Sequence, residues 1–502
     1  MKISIAQLNY HIGNFEGNFS KMKKAVERAV AEGADMVCFS ELCTCGYPPR
    51  DFLEFEDFID LSLDIIDRLA SLSHDIAIVV GSPSRNPVVE GKDLFNSAYF
   101  LYKGKVQHIQ NKALLPTYDI FDEYRYFERG KTFEVVEFKG RKIALTVCED
   151  IWDIPKGPHN DGLENPLYTF TPLDIMQEQE PDLIINLSAS PFSYDKAKER
   201  IHIVRCNVQR YGIPLFYINH CGAQTEIIFD GGSVIMSPDG RVHDEMKYFE
   251  EDFRTFDLDE VMTGGKDRER KKDKIPLIHD ALVLGLRDYF SKLGFTKAII
   301  GLSGGIDSAV TAVLVQRALG KDNVHVLLMP SQFSSDHSVE DARALAENLG
   351  IGHRVIPIED IYKSFEVSLE EDFKSLPFGI AEENIQARIR GTLLMAYSNK
   401  FGNILLNTTN KSEMAVGYGT LYGDLAGGLS VLGDVYKTEV YQLAEYINKD
   451  EEVIPRHSID KPPSAELKPD QKDTDSLPDY EVLDPILFEY IENRMSPEDI
   501  IQ

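Results

Sequence analysis

The sequence predicts an α/β protein in two domains: an α/β sandwich with helical outer layers over residues 1–262, and a doubly wound parallel sheet over residues 275–502. Three observations carry that prediction. Short, β-branched apolar runs alternate with longer helical patterns along the whole chain. The first half also contains a hairpin turn, whereas the strands of the second half alternate with helices. Residues 263–274, TGGKDRERKKDK, contain no apolar residue and read as a solvated linker.

Taken in order, residues 3–6 read as a strand and 18–32 as a helix rich in Lys, Ala and Glu. Residues 36–39 read as a buried strand ending at Ser40-Glu41-Leu42, and 76–80 as another. Residues 95–100 and 106–109 flank Lys103-Gly104, a hairpin turn. Residues 143–147 run into Cys148, and 183–186 end near Ser188. A helix over 196–210 precedes a strand over 215–219. The second half opens with a helix from 275, then strands at 298–300, 324–329, 354–358 and 402–406. Helices begin at Ser308 and Ser338. Residues 461–478, rich in proline and acid, read as a loop.

At 502 residues the chain exceeds one ordinary core, and 43% hydrophobic with 27% charged residues describes a soluble globular protein. A formal charge of −29 excludes a nucleic-acid-binding surface as the main business, so anionic substrates must be met by local donors and metal ions. No apolar run approaches the roughly 20 residues of a membrane span. The start, MKISIAQLNY, reads as a strand and not a signal peptide. Six cysteines, mostly within apolar segments, suit a reducing cytoplasm. Cys43-Thr44-Cys45 is too close-spaced for a zinc site.

Between the strand at 298–300 and the helix beyond it lies Gly301-Leu302-Ser303-Gly304-Gly305-Ile306-Asp307-Ser308. Glycines let backbone approach an anion, and the first helical turn offers N–H donors and the positive end of a dipole. The hydroxyls of Ser303 and Ser308 add donors, and Asp307 can hold a Mg²⁺ that bridges phosphates. The pattern lacks the Gly-Lys-Ser/Thr of the commoner P-loop. S-G-G-x-D-S resembles the N-type ATP pyrophosphatases, which implies cleavage between the α- and β-phosphates of ATP and adenylation of a substrate oxygen.

In the first half, Glu41, Lys112 and Cys148 each follow a strand-like segment, where an α/β fold presents reactive side chains. Singly they read as a surface Glu, a surface Lys and a buried Cys. Together, as Phe39-Ser40-Glu41-Leu42, Lys112-Ala113-Leu114-Leu115-Pro116 and Val147-Cys148-Glu149-Asp150, they resemble the nitrilase/amidase superfamily. The chemistry suits the residue types: a thiol of ordinary pKa, about 8.5, needs a base and a cation to attack at neutral pH. The resemblance implies an α-β-β-α sandwich in which Glu41 is the base, and Lys112 with the Glu149 N–H holds the oxyanion. Glu123 matches a further, supporting glutamate of that superfamily.

A nitrilase-like amidase ahead of an S-G-G-x-D-S domain is similar to the glutamine-dependent NAD⁺ synthetase family over essentially the whole chain. Residues 383–391, 407–413, 422–428, 435–438 and 462–467 also carry the likeness. The resemblance implies that the first domain hydrolyses glutamine through a cysteine thioester, with Tyr118, Ser190 and Lys196 recognising it. Lys196 stands where some relatives have arginine; it keeps the charge and loses bidentate geometry. Ammonia then passes within the protein to the second, Rossmann-like domain. There Gly301–Ser308, Thr408, Lys437 and Ser464 bind ATP, and Mg²⁺ lies between Asp307 and Glu413. Asn384, Arg388, Glu413 and Asp424 bind deamido-NAD⁺, whose nicotinate carboxylate is adenylated before ammonia displaces AMP.

Plain alternatives stand beside some of these: Arg388 as partner of a helix-face carboxylate, and Asp424 as a turn residue. Leu421 replaces a substrate-contacting lysine of the ammonia-dependent synthetases. A basic tail that touches deamido-NAD⁺ in relatives is not expected beyond 495–502. The family suggests a homo-oligomer built through synthetase-domain dimers, with neither nucleic acid nor membrane as partner. Two other functions compete. One is a GMP-synthetase-like amidotransferase with a different adenylated acceptor, though such enzymes normally carry a Cys-His-Glu glutaminase. The other is a catalytically silent nitrilase-fold scaffold, against which the intact Glu41, Lys112, Cys148 and loop speak.

Overall fold

A computed structural model describes residues 1–153, 168, 170–271, 273–374, 376–469 and 471–501. Positions 272 and 470, within the expected linker and acidic loop, and Gln502 lie outside the described residues. The chain divides into two compact units, Met1–Lys274 and Ile275–Gln502.

The first unit contains fourteen strands among its described residues. They are β1 (Lys2–Gln7), β2 (Met36–Cys38), β3 (Ala77–Arg85), β4 (Leu94–Tyr102), β5 (Lys105–Asn111), β6 (Val136–Phe138) and β7 (Arg141–Val147). After these come β8 (Leu183–Ser188), β9 (Leu215–Asn219), β10 (Cys221–Gln224), β11 (Ile227–Asp230), β12 (Val234–Met236), β13 (Val242–Glu245) and β14 (Asp252–Asp257). Twelve of them form two six-stranded sheets, ordered β14-β1-β2-β3-β4-β5 and β13-β12-β9-β8-β7-β6, and β10 pairs with β11. Both sheets are mixed: β1, β2 and β3 run parallel, as do β7, β8 and β9, and hairpins close the edges. Lys103 and Gly104, both at positive φ, form the β4–β5 turn.

Alternation of side chains along each strand decides the layering. Ile3, Ile5, Val79 and Phe100 from one sheet meet Ile143, Leu145, Ile185 and Phe216 from the other in a shared core. The opposite-facing Val37, Ile78, Val80 and Leu101 pack with Met22, Val26, Ile65 and Leu69 of the helices Phe15–Ala31 and Glu56–Ala70. Ala144, Ile184, Leu215 and Tyr217 do the same with Leu173, Met176, Ile201 and Val204 of Pro172–Gln177 and Lys196–Tyr211. Burial on both faces explains why the parallel strands read as unbroken apolar runs. The result is an α-β-β-α sandwich.

The second unit is a five-stranded parallel sheet. Its strands are β15 (Ala298–Gly301), β16 (Val324–Leu328), β17 (Gly352–Val355), β18 (Ile404–Asn407) and β19 (Leu429–Ser430). Their order, β17-β16-β15-β18-β19, places the switch in direction between β15 and β18, where doubly wound sheets bind ligands.

Two elements differ from expectation. The helix after β15 begins at Ile306 and not at Ser308, so Asp307 and Ser308 lie inside its first turn. The third strand pairs over Gly352–Val355 and not over 354–358. Ile356 and Ile358 still donate to Leu328 and Pro330, but Pro357 has no N–H to continue a ladder.

Candidate active sites

In the first unit, three strand ends converge. Glu41 follows β2 and is fully buried. A Cβ on Gly81 of β3 would lie 2.5 Å from the Leu42 nitrogen and 2.7 Å from Glu41 Cα, so a glycine is what lets β3 pass this segment. Lys112 follows β5 and is also fully buried. Its Nζ donates to Glu41 Oε1 at 2.8 Å and to Glu123 Oε1 at 2.9 Å, and Tyr47 Oη donates to Glu123 Oε1 at 2.8 Å. Glu41 further accepts from Asn96 Nδ2 (2.7 Å) and from the Ala189 N–H (2.9 Å). Four hydrogen-bonding groups thus fix one carboxylate and its lysine.

Cys148 ends β7 at a positive φ of 43°, a strained strand-to-turn geometry for a residue with a side chain. Asp150 secures the turn. Its Oδ2 accepts from the Val147 N–H at 3.0 Å, and its Oδ1 accepts from Ala113 and Leu114 N–H, each at 2.9 Å. One carboxylate therefore ties the segment after Lys112 to the residue before Cys148. Burial raises Asp150 to about 7 despite these donors.

Burial also pushes the Cys148 thiol well up, the Glu41 charge adds to this, and Lys112 opposes it. Burial alone would lower Lys112, but Glu123 and Glu41 outweigh it and hold the ammonium charged. The resting pair is thus a neutral thiol beside a cation, with a carboxylate acceptor at hand. Alkylation of Cys148 by iodoacetamide, followed by mass spectrometry, should be slow at pH 7 and accelerate as pH rises beyond the ordinary thiol value of about 8.5. Rapid, pH-independent labelling between pH 6 and 8 would show a preformed thiolate instead.

Of the residues expected around the substrate, Tyr118 donates to both oxygens of Glu149 (2.9 and 3.1 Å), and Tyr168 donates to Oε1 (2.8 Å). Burial raises the Glu149 carboxyl. Ser190 is buried, its N–H bonded to Asn219 Oδ1 at 2.9 Å. Lys196 opens its helix, with Nζ 4.1 Å from the Trp152 ring centroid and 3.1 Å from Glu199 Oε2, and its charge reaches Glu149.

In the second unit, the 303–308 loop leaves the carboxyl end of β15. Gly305 N–H donates to Ser303 Oγ (3.1 Å), Ser308 Oγ donates to the Gly305 carbonyl (3.0 Å), and Leu302 N–H to Leu327 (2.9 Å). Gly301 ends the strand, and Ile306 is buried at the helix start. Gly304 has φ +83°, and a Cβ there would lie 2.2 Å from the Ser338 carbonyl oxygen. Gly304→Ala should therefore cost at least about 1–2 kcal/mol from φ alone, and more from the backbone clash. A lowered Tm with loss of ATP-dependent AMP formation is the expected result.

Asp307 accepts from Asn410 Nδ2 at 2.9 Å through Oδ1 and from Lys437 Nζ at 2.5 Å through Oδ2. Glu413 lies 3.3 Å from the same ammonium and is fixed by a capping box with Asn410. Burial, then the charge of Asp307, raises Glu413 to about 7. Burial alone would lower Lys437, but Asp307 and Glu413 outweigh it and raise it. Two carboxylates converging on one cation are hard oxygen donors of the kind Mg²⁺ takes, so the donor set fits that metal.

Thr408 follows β18 and is half-buried. Ser464 is exposed and accepts from the Glu466 N–H at 3.1 Å. Glu466 and Lys461 bond Ser338, at 2.6 and 2.9 Å, beside Gly304. Asn384, Arg388 and Asp424 gather on one turn. Thr420 Oγ1 donates to Asn384 Oδ1 (2.8 Å), Arg388 Nε to the Leu421 carbonyl (3.2 Å), and Thr420 N–H to Asp424 Oδ1 (2.7 Å).

Asn96, the Ala189 N–H and Asp150 escaped the sequence reading, as did Asp473, which accepts from Tyr418 and Tyr480 at 3.2 and 3.0 Å. Asn410 carried a readable signal, the N-x-x-E of a capping box.

Residues 2–153 match the carbon-nitrogen hydrolase family, and residues 278–502 match NAD synthase. The chain is 44% identical to the glutamine-dependent NAD(+) synthetase of Synechocystis sp., over 99% of this chain and 90% of that one. It is 39% identical to that of Aquifex aeolicus, over 100% and 91%. Among solved structures it is similar to the glutamine-dependent NAD⁺ synthetase of Acinetobacter baumannii in complex with ADP. That likeness has a TM-score of 0.85 at 36% identity, covering 100% of this chain and 89% of that one.

Proposed function

The chain belongs to the glutamine-dependent NAD(+) synthetases, and on that premise we propose that its two constellations divide one reaction into nitrogen release and nitrogen transfer. The enzyme amidates deamido-NAD⁺ to NAD⁺, consuming glutamine and ATP and giving glutamate, AMP and pyrophosphate. The observation that carries the assignment of residues is the convergence of Glu41, Lys112 and Cys148 in one unit, and of Asp307, Glu413 and Lys437 beside the 303–308 loop in the other.

At the first site the Cys148 sulfur attacks the glutamine carboxamide carbon as Glu41 takes the thiol proton. Lys112 stabilises the oxyanion, and its charge, fixed by two carboxylates, needs no reorganisation as the oxyanion forms. The C–N bond breaks, Glu41 returns the proton to the departing ammonia, and a thioester remains. Water, deprotonated by Glu41, then hydrolyses it to glutamate. Tyr118, Ser190 and Lys196 hold the amino-acid end of glutamine, Lys196 facing its carboxylate.

At the second site the backbone of Gly301–Ser308 and the side chains of Thr408, Lys437 and Ser464 bind ATP. Asp307 and Glu413 hold Mg²⁺, which supplies positive charge to the phosphates. Asn384, Arg388, Glu413 and Asp424 bind deamido-NAD⁺ so that its nicotinate carboxylate oxygen attacks the α-phosphorus and pyrophosphate leaves. Ammonia then attacks the adenylated carbonyl and displaces AMP.

The enzyme works in the cytoplasm as a homo-oligomer joined through its synthetase units. Six free thiols support the first statement, and the exposed Ile380, Met395 and Phe401 of the helix Ile380–Phe401 support the second. Among the described residues no helix is long and apolar enough to cross a membrane. The test is an assay with glutamine, ATP and Mg²⁺ against a panel of carboxylate and nucleotide acceptors. Deamido-NAD⁺ alone should yield AMP, pyrophosphate and glutamate together. Preference for a purine-nucleotide acceptor would instead support a GMP-synthetase-like enzyme.

A further inference from the structure

The ammonium of Lys437 lies 2.5 Å from Asp307 Oδ2 and 3.3 Å from Glu413 Oε1, and its side chain is only 2% exposed. These are the two carboxylates assigned above to Mg²⁺, and the inference rests on that assignment. A magnesium ion needs carboxylate oxygens at roughly 2.0–2.1 Å, a position that an ammonium resting on both groups denies it by volume and by charge.

The surroundings hold this arrangement in place. Asn410 Nδ2 fixes the other oxygen of Asp307 at 2.9 Å, and the Asn410 capping box fixes Glu413. The backbone at Lys437 is pinned as well: its N–H donates to Ser412 Oγ at 2.9 Å, and Ser412 Oγ donates to Asp484 Oδ1 at 2.6 Å. Asp484 Oδ2 also accepts from the N–H and hydroxyl of Thr438, both at 2.8 Å. The carboxylates and the helix start are therefore fixed, and the flexible four-carbon stem of the lysine is the part able to move.

We propose that Lys437 determines the specificity of the cation site: it occupies Asp307 and Glu413 against free metal ion and releases them only when a nucleotide triphosphate offers its ammonium another anion. Metal and nucleotide then bind with positive coupling, each favouring the other by the same factor. The site selects a divalent cation that arrives with ATP over one that arrives alone. A lysine that served only as a phosphate contact would leave metal binding in the absence of nucleotide unchanged on its removal.

The test is a titration of the nucleotide-free full chain with Mn²⁺, followed by the electron paramagnetic resonance of the free ion. Lys437→Met should bind Mn²⁺ about 5- to 150-fold more tightly than the unsubstituted protein, the usual span of coupling between sites. With a non-hydrolysable ATP analogue present, the unsubstituted protein should gain Mn²⁺ affinity and the variant should gain less. Equal or weaker Mn²⁺ binding by the variant, without nucleotide, overturns the proposal. If Lys437→Met does not fold, Lys437→Gln carries the same comparison, and Mn²⁺ alone should raise the Tm of the variant but not that of the unsubstituted protein. Failure of the unsubstituted protein to bind Mn²⁺ even with the analogue would instead overturn the assignment of Asp307 and Glu413 as ligands.

Discussion

Cys148→Ala is expected to abolish NAD⁺ formation from glutamine while sparing formation from added ammonium. Removing a nucleophile from a covalent mechanism costs on the order of 10⁴–10⁶ in rate, because the remaining groups cannot form the intermediate they stabilise. The substitution is gentle on the fold. Cys148 is 4% exposed, and the turn around it is held by Asp150 through backbone groups that alanine keeps. The synthetase constellation lies wholly within the other unit, residues 275–502, so ammonium should support the same rate in variant and parent. Parallel assays with the two nitrogen sources decide the matter. Loss of both activities in a folded variant would contradict the division of labour between sites.

Asp307→Asn gives the converse pattern: synthesis lost from both nitrogen sources, with glutamine hydrolysis persisting. Asparagine keeps the shape and an acceptor for Asn410, but it removes the charge that faces Lys437 at 2.5 Å and that would hold the metal. Loss of one preorganised charge at a developing transition state costs roughly 10²–10³ in rate, and loss of the metal with it costs more. Glutamate release measured without acceptor isolates the first site. A variant that still made AMP and pyrophosphate at the parent rate would remove Asp307 from the reaction.

Much of this protein was legible in its sequence, for reasons that differ along the chain. The strands at 143–147 and 298–300 are apolar because both their faces are buried, so composition alone locates them. The loop at 303–308 is legible because phosphate binding demands glycine and hydroxyl at fixed spacing. Glu41, Lys112 and Cys148 are individually unremarkable, and only the words around them, such as Val147-Cys148-Glu149-Asp150, announce a site. What escaped is what depends on tertiary partners. Asn96 lies in a strand between apolar neighbours, and nothing local says that its amide meets Glu41. Asp150 reads as a turn residue until Ala113 and Leu114 are placed beside it. Gly81 sits in a strand whose pattern gives no hint that Glu41 crosses above it.

The pairing of β1 with β14, from Lys2↔Asp257 to Gln7↔Asp252, sets the order in which the first unit can be completed during synthesis. The first strand to leave the ribosome has its outer partner only after nearly the whole unit has been translated, an interval on the order of 10–50 s at about 5–20 residues per second. Throughout that interval β1 presents an open edge of backbone donors and acceptors, the template on which another nascent chain can add a strand. Pairing so distant in sequence also closes late, after the local hairpins. The cellular yield of this enzyme therefore depends on how well that edge is shielded, by trigger-type chaperones or by slow initiation, before residue 252 emerges.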